Sequence, residues 1–148
     1  MIERCLTVEQ HGWLALRTAL WPHCERAEHM ADMSAQCASP DRFAQFIAYD
    51  VSRKPRGLVE AALRSDYVNG TRSSPVAFLE GIYVVPEARR QGIARALVAS
   101  VERWATSAGC TEFASDARLD NEAAHAMHRR LGFDETSRVV YFLKALEK

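Results

Sequence analysis

The residues best suited to chemistry lie in one stretch, Ile82-Tyr-Val-Val-Pro-Glu-Ala-Arg-Arg-Gln-Gly-Ile-Ala-Arg95. A β-branched run (Ile82, Val84, Val85) stops at Pro86. Arg89 and Arg90 follow, then the small residues Gly92 and Ala94, with apolar residues at Ile93, Leu97, Val98, Val101 and Trp104. Strand spacing gives way to helical spacing across a basic loop. The predicted helix runs from about Arg90 to near residue 107, and no Ser, Thr, Asp or Asn caps its start. Its first N–H groups therefore lack a side-chain acceptor. Open amides, the positive end of the helix dipole and two arginines suit an anion, phosphate foremost. On the residues alone, a solvated basic turn is an equal reading. Neither G-x-G-x-x-G nor Gly-Lys-Ser/Thr is present, which excludes a dinucleotide fingerprint and a Walker loop.

Two carboxylates flank this stretch. Glu80 precedes Val84 by four residues in the same predicted strand, and the two-residue period puts both on one face. Asp116 follows the short predicted strand 111–115. Ligands of open α/β sheets bind beyond strand ends, where such carboxylates attract a cation. The plain alternative is an exposed strand residue and a turn residue. Glu122, His125 and His128 stand three apart, but a further strong ligand pattern is missing and no metal is expected. Cys5, Cys24, Cys37 and Cys110 form no C-x-x-C pair and read as reduced, mostly structural thiols.

The elements that must position these groups follow from periodicity and punctuation. Residues 1–8 predict a short strand and 10–20 a helix ending at Trp21-Pro22. Residues 23–37 predict a polar helix over a groove, carrying Glu25, Glu28, His29 and Asp32. Residues 42–50 and 57–68 predict a hairpin across the turn at 50–55, and residues 76–85 the strand that enters the basic loop. Gly109 caps the long helix, and Asp120 or Asn121 opens another that Gly132 stops. Phe133 and residues 138–143 (RVVYFL) predict closing strands. The expected fold class is α+β, a mixed sheet with helices on both faces.

Composition bounds the answer. The 148 residues suit one domain, 1–148, with 48% hydrophobic and 26% charged residues. A formal charge of zero favours neither nucleic acid nor an anionic membrane as partner. No apolar run approaches the roughly 20 residues of a membrane span. The start, Met1-Ile-Glu-Arg-Cys5, has no signal-peptide core, so a cytoplasmic chain is expected.

Arg89-x-x-Gly92-x-Ala94 after a strand, the Asn121 helix and the pair Gly132-Phe133 resemble the GCN5-related N-acetyltransferase family. The resemblance covers about residues 75–143. It implies a twisted, mostly antiparallel sheet that splays at the cofactor strand, with acetyl-CoA as co-substrate. It implies that Ile82, Tyr83 and Val84 hold the pantetheine arm, with the Val84 N–H facing the acetyl oxygen. Arg89, Arg90, Gln91, Gly92, Ile93, Ala94 and Arg95 would surround the pyrophosphate, and Asn121 would reach the cofactor arm. The family usually has a tyrosine acid four residues before the Gly-Phe pair. Here that position is His128, a departure that still allows proton donation.

Trp21-Pro22, the run from Val59 to Gly70, Phe78-Leu-Glu-Gly-Ile-Tyr-Val-Val-Pro86 and Phe113-Ala-Ser-Asp116 resemble the aminoglycoside 6′-N-acetyltransferases of that family. The resemblance implies that Glu80 and Asp116 bind or activate the acceptor amine. Trp21 and Tyr67 would line its pocket, with Glu25, Glu28 and Asp32 attracting the polycation. Some relatives carry an acid near the start of the last strand, where Ser137 stands here. A homodimer is implied, with residues 138–143 as a pairing edge. A polyamine or protein amine as acceptor, or a module that holds acetyl-CoA without turnover, would use the same frame.

Overall fold

The computed structural model describes residues 1–147. Its elements, in chain order, are β1 (Ile2–Arg4), α1 (Trp13–Leu20), α2 (Arg26–Ala38), β2 (Phe43–Tyr49), β3 (Pro55–Arg64) and β4 (Val76–Val84), then α3 (Ile93–Ser107), β5 (Phe113–Ala114) and α4 (Glu122–Arg130). A 3-10 turn, Pro86–Ala88, follows β4. The chain divides into two compact units, Met1–Asp116 and Ala117–Lys148.

The first unit is a five-stranded sheet in sequential order, antiparallel from β1 to β4, with β5 parallel to β4. β3 lies at its centre, and Gly57–Ala62 are buried. Burial on both faces turns helix-favouring residues such as Leu58, Ala61 and Ala62 into a strand, because neighbours on each side outweigh local propensity. One face packs α1 and α2. There Trp13, Leu16 and Met33 meet Cys5, Ile47, Tyr49 and Leu58. The other face packs α3, which buries Leu97, Val98, Val101 and Ala105 along one stripe. A Cβ placed on Gly57 would lie 3.1 Å from both Ile93 and Leu97, which identifies the α3 face.

Several boundaries differ from the sequence expectation, with α1 and α2 each beginning three residues later and β5 shortened to Phe113–Ala114. The first strand ends at Arg4, and the third ends at Arg64, leaving Tyr67 outside it. The long helix begins at Ile93, because Arg90 (φ 63°) and Gly92 (φ 82°) are left-handed and cannot continue a helix backward.

In the second unit, Asn121 caps α4 by accepting from the Ala124 amide at 3.1 Å. The Phe133 amide returns to the His128 carbonyl at 2.9 Å and closes the helix end. The expected closing strands at Phe133 and residues 138–143 are not formed: residues 133–147 carry neither helix nor strand. Val140, Tyr141, Phe142, Leu143 and Leu146 are largely exposed. Their β propensity has no ladder partner among the described residues, and propensity without pairing does not make a strand.

Candidate active site

The site is built on an irregularity in β4. Glu60 pairs with Gly81 and Ala61 with Leu79, so Glu80 is an extra residue, a β-bulge. The bulge changes which main-chain groups face which edge. Before it, the Ala77 N–H points toward β5 and donates to Glu112 at 3.2 Å. After it, the Val85 N–H points to β3 and donates to Arg56 at 2.9 Å. Successive residues of an extended strand alternate edges, so Val84, and Ile82 before it, turn their N–H and C=O groups away from β3. Tyr83, opposite Leu58, turns its own toward β3. β5 pairs with β4 only at Ala77↔Phe113 and Phe78↔Ala114. Beyond Phe78 the two strands part, and the edge carrying Ile82 and Val84 lies open to a ligand.

The bulge also corrects the expectation that Glu80 and Val84 share a face. Val84 pairs with Gly57, whose missing Cβ faces α3. Gly81 faces the other way: a Cβ there would lie 2.5 Å from Trp21 Cζ2 and 2.8 Å from Leu20. Glu80 lies with Gly81 on the α1 face, where Arg64 contacts both its oxygens at 2.9 and 3.0 Å through NH2. The Arg64 guanidinium stacks 3.5 Å from the Phe78 ring centroid. The extra residue breaks the two-residue period on which the one-face expectation rested.

Asp116 is exposed, two residues past the last ladder pair of β5. The β4–β5 ladder ends short of both carboxylates: Glu80 lies two residues beyond Phe78 on β4, and Asp116 two beyond Ala114 on β5. Trp21 is half-buried against Gly81, whereas Tyr67, at 79% exposure, and Glu25 stand out in solvent. Asp32 is held by Arg17 at 3.0 Å.

The basic loop lies at the other end of the β4 edge. Arg89 Nε donates to the Val84 carbonyl at 2.8 Å and its guanidinium sits 5.7 Å from the Tyr83 ring centroid, so Arg89 folds back on the strand. Arg90 and Gly92 are left-handed, and left-handed residues beside a helix start belong to the backbone arrangements that turn successive amides toward an anion. No side chain caps α3, and the Ala96 amide donates to Gly92 at 3.0 Å to begin the helix ladder. A Cβ on Gly92 would meet nothing within 4 Å, so the approach to the backbone is open. A cleft of about 860 Å³ reaches Gln91, Gly92 and Ile93 on the α3 face, but includes neither carboxylate nor Trp21.

In the second unit, Asn121 spends its side-chain oxygen on the helix cap. His128 Nδ1 lies 2.6 Å from the Ala124 carbonyl, with the ring edge-on to Phe133 at 5.3 Å. A carbonyl only accepts, so Nδ1 carries a proton there. Nε2 can then donate only from the doubly protonated ring. His125 Nε2 meets the Arg118 carbonyl at 2.9 Å. Among the described residues, no group of three or more His, Cys, Asp or Glu is placed to hold a metal ion.

Sequence reasoning did not single out Arg64 as the partner of Glu80, nor Arg17, His29 and Glu60 as a buried set. The Gly81 beside Glu80 was the available signal, since an isolated glycine inside a strand marks a bulge or a close approach.

A strand that splays at a bulge, feeding an uncapped helix start through a basic, small-residue loop, defines an acyl-CoA-dependent transferase frame. The profile of the Acetyltransferase (GNAT) family matches residues 12–133, and the chain belongs to that family. The chain is 54% identical over 132 residues, 89% of both chains, to aminoglycoside N(6′)-acetyltransferase type 1 of Acinetobacter baumannii. It is 49% identical over 146 residues to the enzyme of that name from Serratia marcescens, covering 99% of both. Its structure is similar to the crystal structure of the aminoglycoside antibiotic 6′-N-acetyltransferase AAC(6′)-Ih from Acinetobacter baumannii, with TM-score 0.93, 49% identity and 99% of both chains covered. It is also similar to AAC(6′)-Iy in complex with the bisubstrate analog CoA-S-monomethyl-acetylneamine, with TM-score 0.92, 40% identity and 99% and 98% covered.

Proposed function

We propose that the chain is an acetyl-CoA-dependent aminoglycoside 6′-N-acetyltransferase that confers resistance. The observation that carries the reading is the end of the β4–β5 ladder at Phe78↔Ala114, which leaves the bulged β4 edge beyond it open ahead of an uncapped α3. The names of relatives at 40–54% identity support the choice of acceptor. Both units work as one acetyltransferase domain in this reading, because the family profile runs across their boundary.

The residues present fit the co-substrate: an open strand edge for the pantetheine amides, and an uncapped helix start for the pyrophosphate. Acetyl-CoA supplies the activated thioester. Ile82 offers its outward main-chain groups to the arm, and the Val84 N–H, whose carbonyl Arg89 already engages, donates toward the acetyl oxygen, where negative charge grows. The amides from Arg90 to Arg95 surround the diphosphate, whereas the Arg89 side chain, expected there too, is spent on the Val84 carbonyl. Asn121, with its oxygen committed to the cap, has its amide nitrogen to offer to the arm. Glu80 and Asp116 draw in the ammonium and orient it, and its proton leaves through Asp116 or a bound water. His128, when doubly protonated, returns a proton from Nε2 to the departing thiolate. Trp21 and Tyr67 flank the sugar, with Glu25 and Glu28 attracting it from α2. Transfer is direct, within a ternary complex. Acetylation removes one positive charge and so weakens the drug's attraction to RNA phosphates.

The protein is also proposed to be a homodimer joined through residues 138–143, because Val140, Tyr141, Phe142 and Leu143 are 71–96% exposed. No helix among the described residues is long and apolar enough to cross a membrane. Four free thiols suit the reducing cytoplasm, where we place it.

The test is thiol release from acetyl-CoA by purified protein with kanamycin, tobramycin, spermine and peptides. Release with the drugs that have a free 6′-amine is expected. Release with spermine or peptides alone would move the acceptor to those amines, and acetyl-CoA binding without any release would make the chain a binding module.

A further inference from the structure

Behind the acceptor side of the sheet lies a buried charge network that the acetyl transfer above does not use. Glu60, on β3 directly opposite Gly81, is 1% exposed. Its carboxylate accepts from Trp13 Nε1 at 2.8 Å, from Gln36 Nε2 at 3.0 Å and from Arg17 NH1. Arg17, 3% exposed, also donates from Nε to His29 Nδ1 at 3.2 Å and from NH2 to Asp32 at 3.0 Å. Each nitrogen of the guanidinium is therefore directed by a partner, on β3 or on α2. Stability alone is a weak reason for such a set, because buried ion pairs are often matched by apolar packing of the same volume.

What the network touches supplies a reason. The Arg17 guanidinium carbon lies 4.8 Å from the centroid of the Trp21 ring, and the Arg17 carbonyl accepts from the Trp21 amide at 2.8 Å. The same indole lies so close to Gly81 that a Cβ would come within 2.5 Å of it. Trp21 thus touches the fixed guanidinium and the backbone beside the Glu80 bulge, while a minor part of it remains exposed to a ligand.

We propose that Arg17 is a positioning residue for the acceptor: locked by Glu60, His29 and Asp32, it holds the Trp21 indole against Gly81, so that an aromatic face stands beside Glu80 for a cationic aminosugar. The identity of the acceptor rests on the aminoglycoside reading; the link from Arg17 to Trp21 does not. An indole held at a set angle offers a cation–π and stacking surface, and a planar guanidinium fixed at three points holds that angle where the single ammonium of lysine does not.

The test compares Arg17→Lys, Trp21→Ala and the double variant. Arg17→Lys should raise the KM for tobramycin about tenfold, equivalent to about 1.4 kcal/mol, with kcat and the KM for acetyl-CoA changed less than about twofold. In the Trp21→Ala background the same substitution should leave the tobramycin KM unchanged, because the residue it acts through is gone. Full additivity, or equal loss for both substrates, would overturn the proposal. In protein labelled with 5-fluorotryptophan, the ¹⁹F resonance of Trp21, assigned by Trp21→Phe, should move in Arg17→Lys. An unmoved resonance overturns the proposal even if no aminoglycoside is turned over by the parent protein, a result that by itself would sink only the acceptor reading. Should Arg17→Lys fail to fold, His29→Leu takes its place: it must move the resonance and raise the tobramycin KM, and His29→Asn, which keeps an acceptor near Nδ1, must restore both. Failure of that rescue overturns the proposal.

Discussion

Glu80 and its Arg64 partner show how a neighbour assigns a role. A carboxylate whose oxygens are engaged bidentately by a stacked guanidinium is suited to anchor a second cation rather than to remove a proton. Glu80→Gln should therefore raise the aminoglycoside KM about tenfold while kcat falls less than about threefold; a loss of about a hundredfold or more in kcat would make Glu80 the base. Asp116→Asn should instead lower kcat with acetyl-CoA affinity retained, measured by calorimetry. His128→Phe should lower kcat by about a hundredfold, and an unchanged kcat would give the leaving thiolate its proton from water. The thiols divide by burial. Cys5 and Cys110 are buried, and desolvation pushes both thiols above their ordinary range. A raised pKa means less thiolate at neutral pH, so both should resist iodoacetamide in the native protein while half-buried Cys24 reacts, read by peptide mass mapping.

β4 and the turn into α3 do the positioning that no single side chain could. The bulge changes the edge phase, so Ile82 and Val84 face outward where an unbroken ladder would have had the odd-numbered residues do so. Gly92 is required by its φ of 82° and not by crowding, since a Cβ there meets nothing. Gly92→Ala should lower stability by about 1–2 kcal/mol in urea titrations and weaken acetyl-CoA binding, because relief of that strain turns the amides away from the anion. The strand-loop-helix joint was legible because β-branched residues, Pro86 and an uncapped amphipathic run are local signals. The bulge was not, because register depends on the partner strand: Glu80 becomes the extra residue only when Glu60 is set opposite Gly81. The face shared by Glu80, Trp21 and Arg64 follows from that register and was out of reach of a two-residue period.

Across the whole chain, charge sums to zero, and the acidic and basic groups meet in pairs, Glu80 with Arg64, Asp32 with Arg17 and Glu87 with Arg56. One carboxylate, Glu60, is wholly interior and paired with Arg17. Glu60→Ala should lower the unfolding free energy by about 3–5 kcal/mol, seen as a shifted denaturant midpoint, since it strands the buried Arg17 charge. The exposed run near the C-terminus argues for a second copy. The double change Tyr141→Lys and Phe142→Lys should convert a dimer to a monomer in sedimentation velocity, and an unaltered sedimentation coefficient would place the interface elsewhere. By itself the sequence determined the order of elements as far as α4, the basic joint between β4 and α3, a cap at Asp120 or Asn121 and the family frame, because each rests on residues close in the chain. Only the tertiary structure decided the bulge at Glu80, its pairing with Arg64, the burial of Arg17 with Glu60, and the failure of residues 138–143 to close the sheet within one chain. Those features depend on which distant strand or helix is opposite, and hydrogen-bond register and desolvation act only once the partners are in place.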